Sequence, residues 1–195
     1  ALSFHSYALT LAGEEAVAQL GAAAAIRDGA PAAVTEFGAT GDPAVLSRLA
    51  GQFDANLLPW MFWSYDEQIV RNEALPPSGD NLRGVALAAL VRPYPIATTG
   101  VPTALAYDPA TRTLDFAYTT ARPDGGMYDD RRLETIVFMP PRHYPDGYVV
   151  RVRGAKVTSR RCAARLTLRT RHPGRPVTIH ATPRPPSPSD RPFCR

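Results

Sequence analysis

Three short stretches of this chain carry the residue types from which a sugar-processing site is built. LSFHSYA (2–8) holds His5 and Tyr7, AAVTEFGAT (32–40) holds Glu36, and PWMFWSY (59–65) holds Trp63 and Tyr65. A carboxylate can attack an anomeric carbon, a phenol can orient that carboxylate, and an indole can stack on a sugar face. Taken singly, each residue has an ordinary reading. Glu36 is then an exposed acid closing a strand, Tyr7 and Trp63 are packing residues, and His5 is a hydrogen-bonded core group. Their joint placement points to chemistry, because each stretch sits at the end of an apolar run in consecutive units of the chain.

The elements that must position these residues alternate between strand and helix. Leu2–Phe4 reads as a short strand. GEEAVAQLGAAAAIRDG (13–29) follows as an Ala-rich helix, with acids at its start, a base at its end and Gly beyond. Ala32–Thr35 is a second strand, ending at Glu36. Asp42-Pro43 suits an N-cap followed by Pro at the first helical position, opening a helix through about Phe53. The aromatic run Trp60–Tyr65 is a third strand, and Asn81–Leu90 a further helix. The order β-α-β-α-β-loop-α implies parallel strands, whose C-terminal ends are the functional rim of such folds.

The second half changes period. LDFAYT, ETIVFM, YVVRVR, RLTLRT and PVTIH are short alternating runs separated by Pro-, Gly- and Asp-rich turns. Leu114, Phe116 and Tyr118 share one face, as do Val150 and Val152, Leu166 and Leu168, and Val177 and Ile179. Arg151, Arg153, Arg169 and Arg171 point the other way. This is the pattern of an antiparallel sandwich with a solvated outer face. From Thr182 the chain is Pro-rich and reads as extended or disordered. The charge divides with the period: residues 1–91 hold four Arg against ten acids, net −6, and residues 92–195 hold seventeen Arg and one Lys against eight acids, net +10. Such asymmetry argues for separate modules. The expected organisation is an α/β module over 1–91, an all-β sandwich over 92–182 and a Pro-rich tail over 183–195.

Other chemistries find little support in the sequence. Four scattered His and two distant Cys give no metal-binding spacing, no Gly-rich phosphate loop follows a strand, and no Ser sits in a nucleophile elbow, so no cofactor or metal is expected. Cys162 and Cys194 pair in an oxidising compartment, or Cys194 lies free in the tail; both readings stay open. The Arg-rich half alternates its bases with apolar residues, which is a solvated sheet face rather than a nucleic-acid surface, and no nucleic-acid partner is expected. No apolar run approaches membrane-spanning length.

The ordered set FHSY, VTEFGAT, PWMFWSYDE and LVRPYPIATTGVP resembles the C-terminal part of glycoside hydrolase family 5, specifically its endoglycoceramidase-like members. The resemblance implies the C-terminal portion of a (β/α)8 TIM barrel, strands six to eight, over 1–91, followed by an antiparallel β-sandwich. It implies Glu36 as the catalytic nucleophile and Tyr7 as the tyrosine that hydrogen-bonds it. Trp63 becomes the aromatic platform for substrate and His5 the nearby polar histidine. The activity implied is that of a retaining β-glycosidase cutting between oligosaccharide and ceramide in glycosphingolipids, secreted or at the cell surface. Contact with an anionic lipid surface fits such a substrate.

One part of the family pattern is missing. A retaining glycosidase needs an acid/base carboxyl about 5–5.5 Å from the nucleophile, and in this family it lies in an Asn-Glu pair after the fourth strand. Asn72-Glu73 lies after the nucleophile instead, and reads as a solvated loop pair. The chain therefore reads as the nucleophile half of an enzyme, a fragment or one chain of a divided one, whose partner is the N-terminal half of the barrel. Two alternatives remain open: another family 5 β-glycosidase, β-glucosidase or cellulase-like, and a non-catalytic carbohydrate- or lipid-binding remnant.

Overall fold

The computed structural model describes residues 1–7, 10–126, 128, 133–171 and 173–185. The chain divides into two compact units, Ala1–Val91 and Arg92–Arg195. Among the described residues no helix is long and apolar enough to cross a membrane.

In the first unit β1 (Leu2–Ser6) and β2 (Ala32–Phe37) pair in parallel. The crossover between them is α1 (Leu11–Asp28). The Thr10 hydroxyl caps this helix by accepting from the Gly13 N–H at 3.1 Å, and Gly29 ends it in the left-handed conformation at φ 59°. Gly21 lets β1 approach α1, since a Cβ there would lie 2.2 Å from the Phe4 ring. α2 (Pro43–Ala55) begins as its sequence predicts, with the Asp42 side chain accepting from the Ala44 N–H at 2.8 Å and Pro43 at the first turn. Val34, Phe37, Leu46, Leu49 and Phe53 form the fully buried centre of this unit.

Two expectations need correction here. The run Trp60–Tyr65 does not form a third regular strand; it meets β2 at one parallel bridge, Val34 with Trp60. Three backbone bonds nonetheless hold the segment alongside β2: Val34 N–H to Pro59 O, Met61 N–H to Val34 O and Trp63 N–H to Phe37 O, each 2.9 Å. The last helix, α3, spans Gly84–Leu90 rather than starting at Asn81. Asn81 instead closes a 3-10 turn, and its amide holds the preceding loop. Its Nδ2 donates to the carbonyls of Asn72, Leu75 and Pro76, while its Oδ1 accepts from the Asn72 N–H. An Asn side chain that satisfies four loop groups has been diverted from helix formation.

The second unit packs two four-stranded antiparallel sheets. One has the order β4 (Val101–Asp108), β5 (Thr113–Thr119), β10 (Val177–Pro183), β7 (Tyr148–Arg153), and the other β3 (Tyr94–Ala97), β6 (Thr135–Phe138), β9 (Arg165–Thr170), β8 (Ala155–Val157). The expected inward faces are the observed ones. Leu114, Phe116, Tyr118, Leu166, Leu168, Val177 and Ile179 are buried between the sheets, with Val150 and Val152 packed at the margin. Arg151, Arg153, Arg169 and Arg171 are exposed. β10 runs on to Pro183, pairing Thr182 with Val149 and Pro183 with Tyr148, so the Pro-rich segment begins as sheet. Residues 186–195 of that segment lie outside the described residues. Arg92 opens the unit, buried, with its guanidinium donating to the Tyr107 carbonyl at 3.2 Å and standing 4.9 Å from the Tyr107 ring centroid. Cys162 is disulfide-bonded, and the chain's other cysteine, Cys194, lies outside the described residues.

Candidate active site

The C-terminal ends of β1 and β2 place an imidazole and a carboxylate opposite one another. The parallel register shifts between Phe4 and His5, which pairs His5 with Glu36 and Ser6 with Phe37. His5 Nδ1 then lies 3.3 Å from Glu36 Oε2, with the carboxylate side chain only 28 % exposed. Strict alternation along β2 would have set these two residues one step apart; the irregularity brings them level.

Glu36 is held by the neighbour that follows it. Phe37 is fully buried and meets Phe53, Trp60 and Phe62 edge-on, at centroid distances of 4.9, 5.4 and 5.8 Å. Gly38 follows at φ 110°, and a Cβ there would lie 2.3 Å from the Phe62 ring. The Gly two residues past Glu36 is thus a steric requirement: only glycine lets the chain turn away while Phe62 packs against its backbone. This ties the carboxylate's strand to the segment that carries Trp63.

Tyr7 stands beyond the end of β1, its ring edge-on to His5 at 6.4 Å and 40 % exposed. Its phenol is pushed above the usual tyrosine value by burial first, then by the negative charges of Glu36, Glu14 and Asp66. It therefore stays protonated at neutral pH and available as a donor. The recorded partner of the Glu36 carboxylate is the His5 imidazole rather than this phenol. Trp63 joins the group through its backbone, the N–H to Phe37 O bond, and presents an indole that is 59 % exposed. Beyond it, Asp66 fixes the turn by accepting from the Ser64 hydroxyl at 3.2 Å and the Gln68 N–H at 2.9 Å. His5, Tyr7 and Glu36 are brought together, and Trp63 is anchored one residue from Glu36 on the strand that carries it. Asn72 and Glu73 are exposed on the loop that Asn81 organises.

Sequence reasoning missed the packing of Phe62 against Gly38, and Asp66. The first had a visible signal, a Gly immediately after a strand-end aromatic with a second aromatic run downstream. The second had only an Asp two residues after Ser64, which is ordinary loop composition.

A rim with one paired carboxylate, a protonated phenol and an exposed indole is equipped to bind a sugar and to attack its anomeric carbon. Residues 92–181 match the glycoside hydrolase family 5 C-terminal domain. The chain is 33% identical over 158 residues to endoglycoceramidase I of Rhodococcus hoagii, covering 78% of this chain and 27% of that protein. It is 27% identical over 103 residues to a glucosylceramidase of Cryptococcus neoformans var. grubii, covering 53% of this chain and 14% of that protein. The fold is similar to that of endo-glycoceramidase II from Rhodococcus sp., solved as its lactosyl-enzyme intermediate: TM-score 0.64, 23% identity, 94% of this chain and 42% of that one. The chain thus spans less than half the length of each. The expected fold class is borne out: the C-terminal portion of a TIM barrel, with no closed barrel among the described residues, followed by an antiparallel sandwich.

Proposed function

We propose that this endoglycoceramidase-like chain, whose residues 92–181 are a glycoside hydrolase family 5 C-terminal domain, carries the nucleophile half of a retaining β-glycosidase acting on glycolipids. The observation that carries the reading is the pairing of His5 with Glu36 at the C-terminal ends of two parallel strands, with Tyr7 beside them. In barrels of parallel strands that end is where substrate binds.

Glu36 is the nucleophile. Its carboxylate attacks the anomeric carbon as the glycosidic bond breaks, giving a covalent glycosyl-enzyme that water then resolves with net retention. His5 holds the carboxylate in line through the 3.3 Å contact between its Nδ1 and Glu36 Oε2. Tyr7, kept protonated, donates a hydrogen bond as charge shifts from the carboxylate to the forming ester. The Trp63 indole stacks on the sugar next to the scissile bond. The acid that protonates the leaving oxygen belongs to the missing half of the barrel.

The name of the 33%-identical relative favours a substrate in which an oligosaccharide is joined to ceramide, the cut falling between the two. The similarity to a glucosylceramidase supports a second reading, in which a single sugar is released from the same lipid. Exposed arginines on the sandwich fit contact with an anionic lipid surface, and the secreted or cell-surface setting expected from the resemblance agrees with such a substrate. Glu36→Gln in the complete enzyme tests the mechanism. It keeps size and hydrogen bonding, so turnover is expected to fall by several orders of magnitude with folding intact. Near-normal turnover contradicts it, and release of an intact oligosaccharide or of one sugar decides between the two substrates.

A further inference from the structure

The two sheets of the sandwich have different outer faces. Along β6 and β9 the side chains alternate: Val137, Leu166 and Leu168 enter the core, which sends Ile136, Phe138, Arg165 and Arg169 outward. The register builds a row across three strands, with Tyr94 on β3 opposite Phe138 on β6, and Phe138 opposite Arg165 on β9. The Tyr94 and Phe138 rings meet at a centroid distance of 5.4 Å. Tyr94 and Ile96 remain 49% and 45% exposed. The half of this face on β3 and β6 is therefore apolar, and its side chains belong to no part of the sandwich core. The half on β9 and β8 is cationic, with Arg169 level with Lys156 one row from Thr167. Glu134 holds Arg169 at 3.0 Å, whereas Arg165 and Lys156 are exposed and have no ion pair among the described residues. The other sheet shows no such division. Its outward rows are Ala117, Thr178 and Arg153, then Asp115, His180 and Arg151, with His180 and Asp115 paired at 2.7 Å.

We propose that the β3–β6–β9–β8 face docks on an anionic phospholipid surface, Tyr94, Ile96 and Phe138 seated at the edge of the acyl chains and Arg165 and Lys156 on lipid phosphates. The composition of the face selects that occupant. Seating two rings and an isoleucine in hydrocarbon removes their surface from water. Tyrosine suits the boundary, because its ring is apolar while its hydroxyl stays wet. Arginine and lysine beside those rings complement the negative charge of the leaflet. An apolar protein surface would satisfy only the rings, and an acidic one only the cations. An anionic leaflet offers hydrocarbon and phosphate side by side. The inference deepens the glycolipid reading, on which its biological use rests, since a substrate anchored in a leaflet is met by an enzyme held against it. Vesicle binding is read without sugar or turnover, so the face and the mechanism at Glu36 can fail separately.

Co-sedimentation of the full 195-residue chain with vesicles of equimolar phosphatidylcholine and phosphatidylglycerol tests the proposal. Binding is expected, weakening with salt and falling about tenfold or more on phosphatidylcholine alone. Arg165→Gln and Lys156→Gln are each expected to lower affinity about fivefold, and Tyr94→Ser about tenfold. Arg151→Gln combined with Arg153→Gln removes the same charge from the other sheet, and is expected to leave affinity within about twofold. Tyr94→Trp adds a reporter whose emission is expected to move to the blue on binding and to be quenched by brominated acyl chains. Absence of binding overturns the proposal. So does an equal loss from charge removal on either sheet, which makes the attraction one of net charge, and so does Tyr94→Trp emission that stays unshifted on bound vesicles. Self-association that Tyr94→Ser abolishes, without vesicle binding, gives the face to a second polypeptide and equally overturns it.

Discussion

The His5–Glu36 pair depends on a one-residue irregularity between two strands, and Trp63 is tied to β2 by its own backbone bond to Phe37 and by the packing of Phe62 on Gly38. These small devices set which residue does what. Glu36 is held on a strand end whose next side chain is locked in an aromatic cluster, so its position costs little mobility. The Trp63 indole is the opposite case, since more than half of it is exposed and its surface is free to receive a flat apolar partner. In the complete enzyme Trp63→Ala is therefore expected to lower kcat/KM about tenfold or more, by loss of stacking on the sugar, with the thermal midpoint nearly unchanged. Steady-state kinetics beside a melting curve check this; a collapsed midpoint with normal kcat/KM would make Trp63 a packing residue. The residue types at the rim were legible in the sequence, because His5, Tyr7, Glu36 and Trp63 each follow an apolar run. That the carboxylate's partner is His5 was not legible, because the register shift that levels them comes from three-dimensional pairing.

Elements differ in how plainly their sequences announce them. α1 and α2 carry their caps, Thr10 and Gly29, Asp42 and Pro43, in local sequence, and the five alternating runs of the sandwich carry period two. Three strands escaped that reading, β3, β4 and β8, and all three are sheet edges. β3 and β4 contain Pro95 and Pro102, which a central strand would exclude but an edge admits, since one side of an edge strand needs no ladder. β8 has three residues, too few to show a period. The segment after α2 was read as a strand because it is aromatic, yet its aromatics pack on Phe37 rather than alternate across a sheet. Gly38 is the joint between that segment and β2. Gly38→Ala is expected to destabilise the chain by about 1–3 kcal/mol, because the new Cβ must displace Phe62 and the backbone angle suits glycine. Denaturant unfolding measures it; a change below experimental error would mean that Phe62 yields freely and that this packing does not fix Trp63.

At the scale of the whole molecule the two units differ in self-sufficiency. Residues 92–182 enclose their own core between two sheets, and are expected to fold alone and unfold cooperatively. Residues 1–91 have a two-stranded parallel sheet with one flanking segment, and expose Met61, Trp63, Leu75 and Ile26. Expressed alone they are expected to associate or precipitate, as an open barrel edge should. A monomeric, cooperatively unfolding 1–91 in sedimentation and melting experiments would contradict this. In a complete enzyme that pairs this chain with the proposed acid-bearing half, the proposed mechanism becomes directly observable. The decisive measurement is peptide mass mapping of the complete enzyme after inactivation by a 2-fluoro glycoside, which slows breakdown of the glycosyl-enzyme more than its formation. The label is predicted on Glu36 and on no other carboxylate; a label on any other residue, or rapid turnover of the inactivator with none, would contradict the assignment of Glu36 as nucleophile.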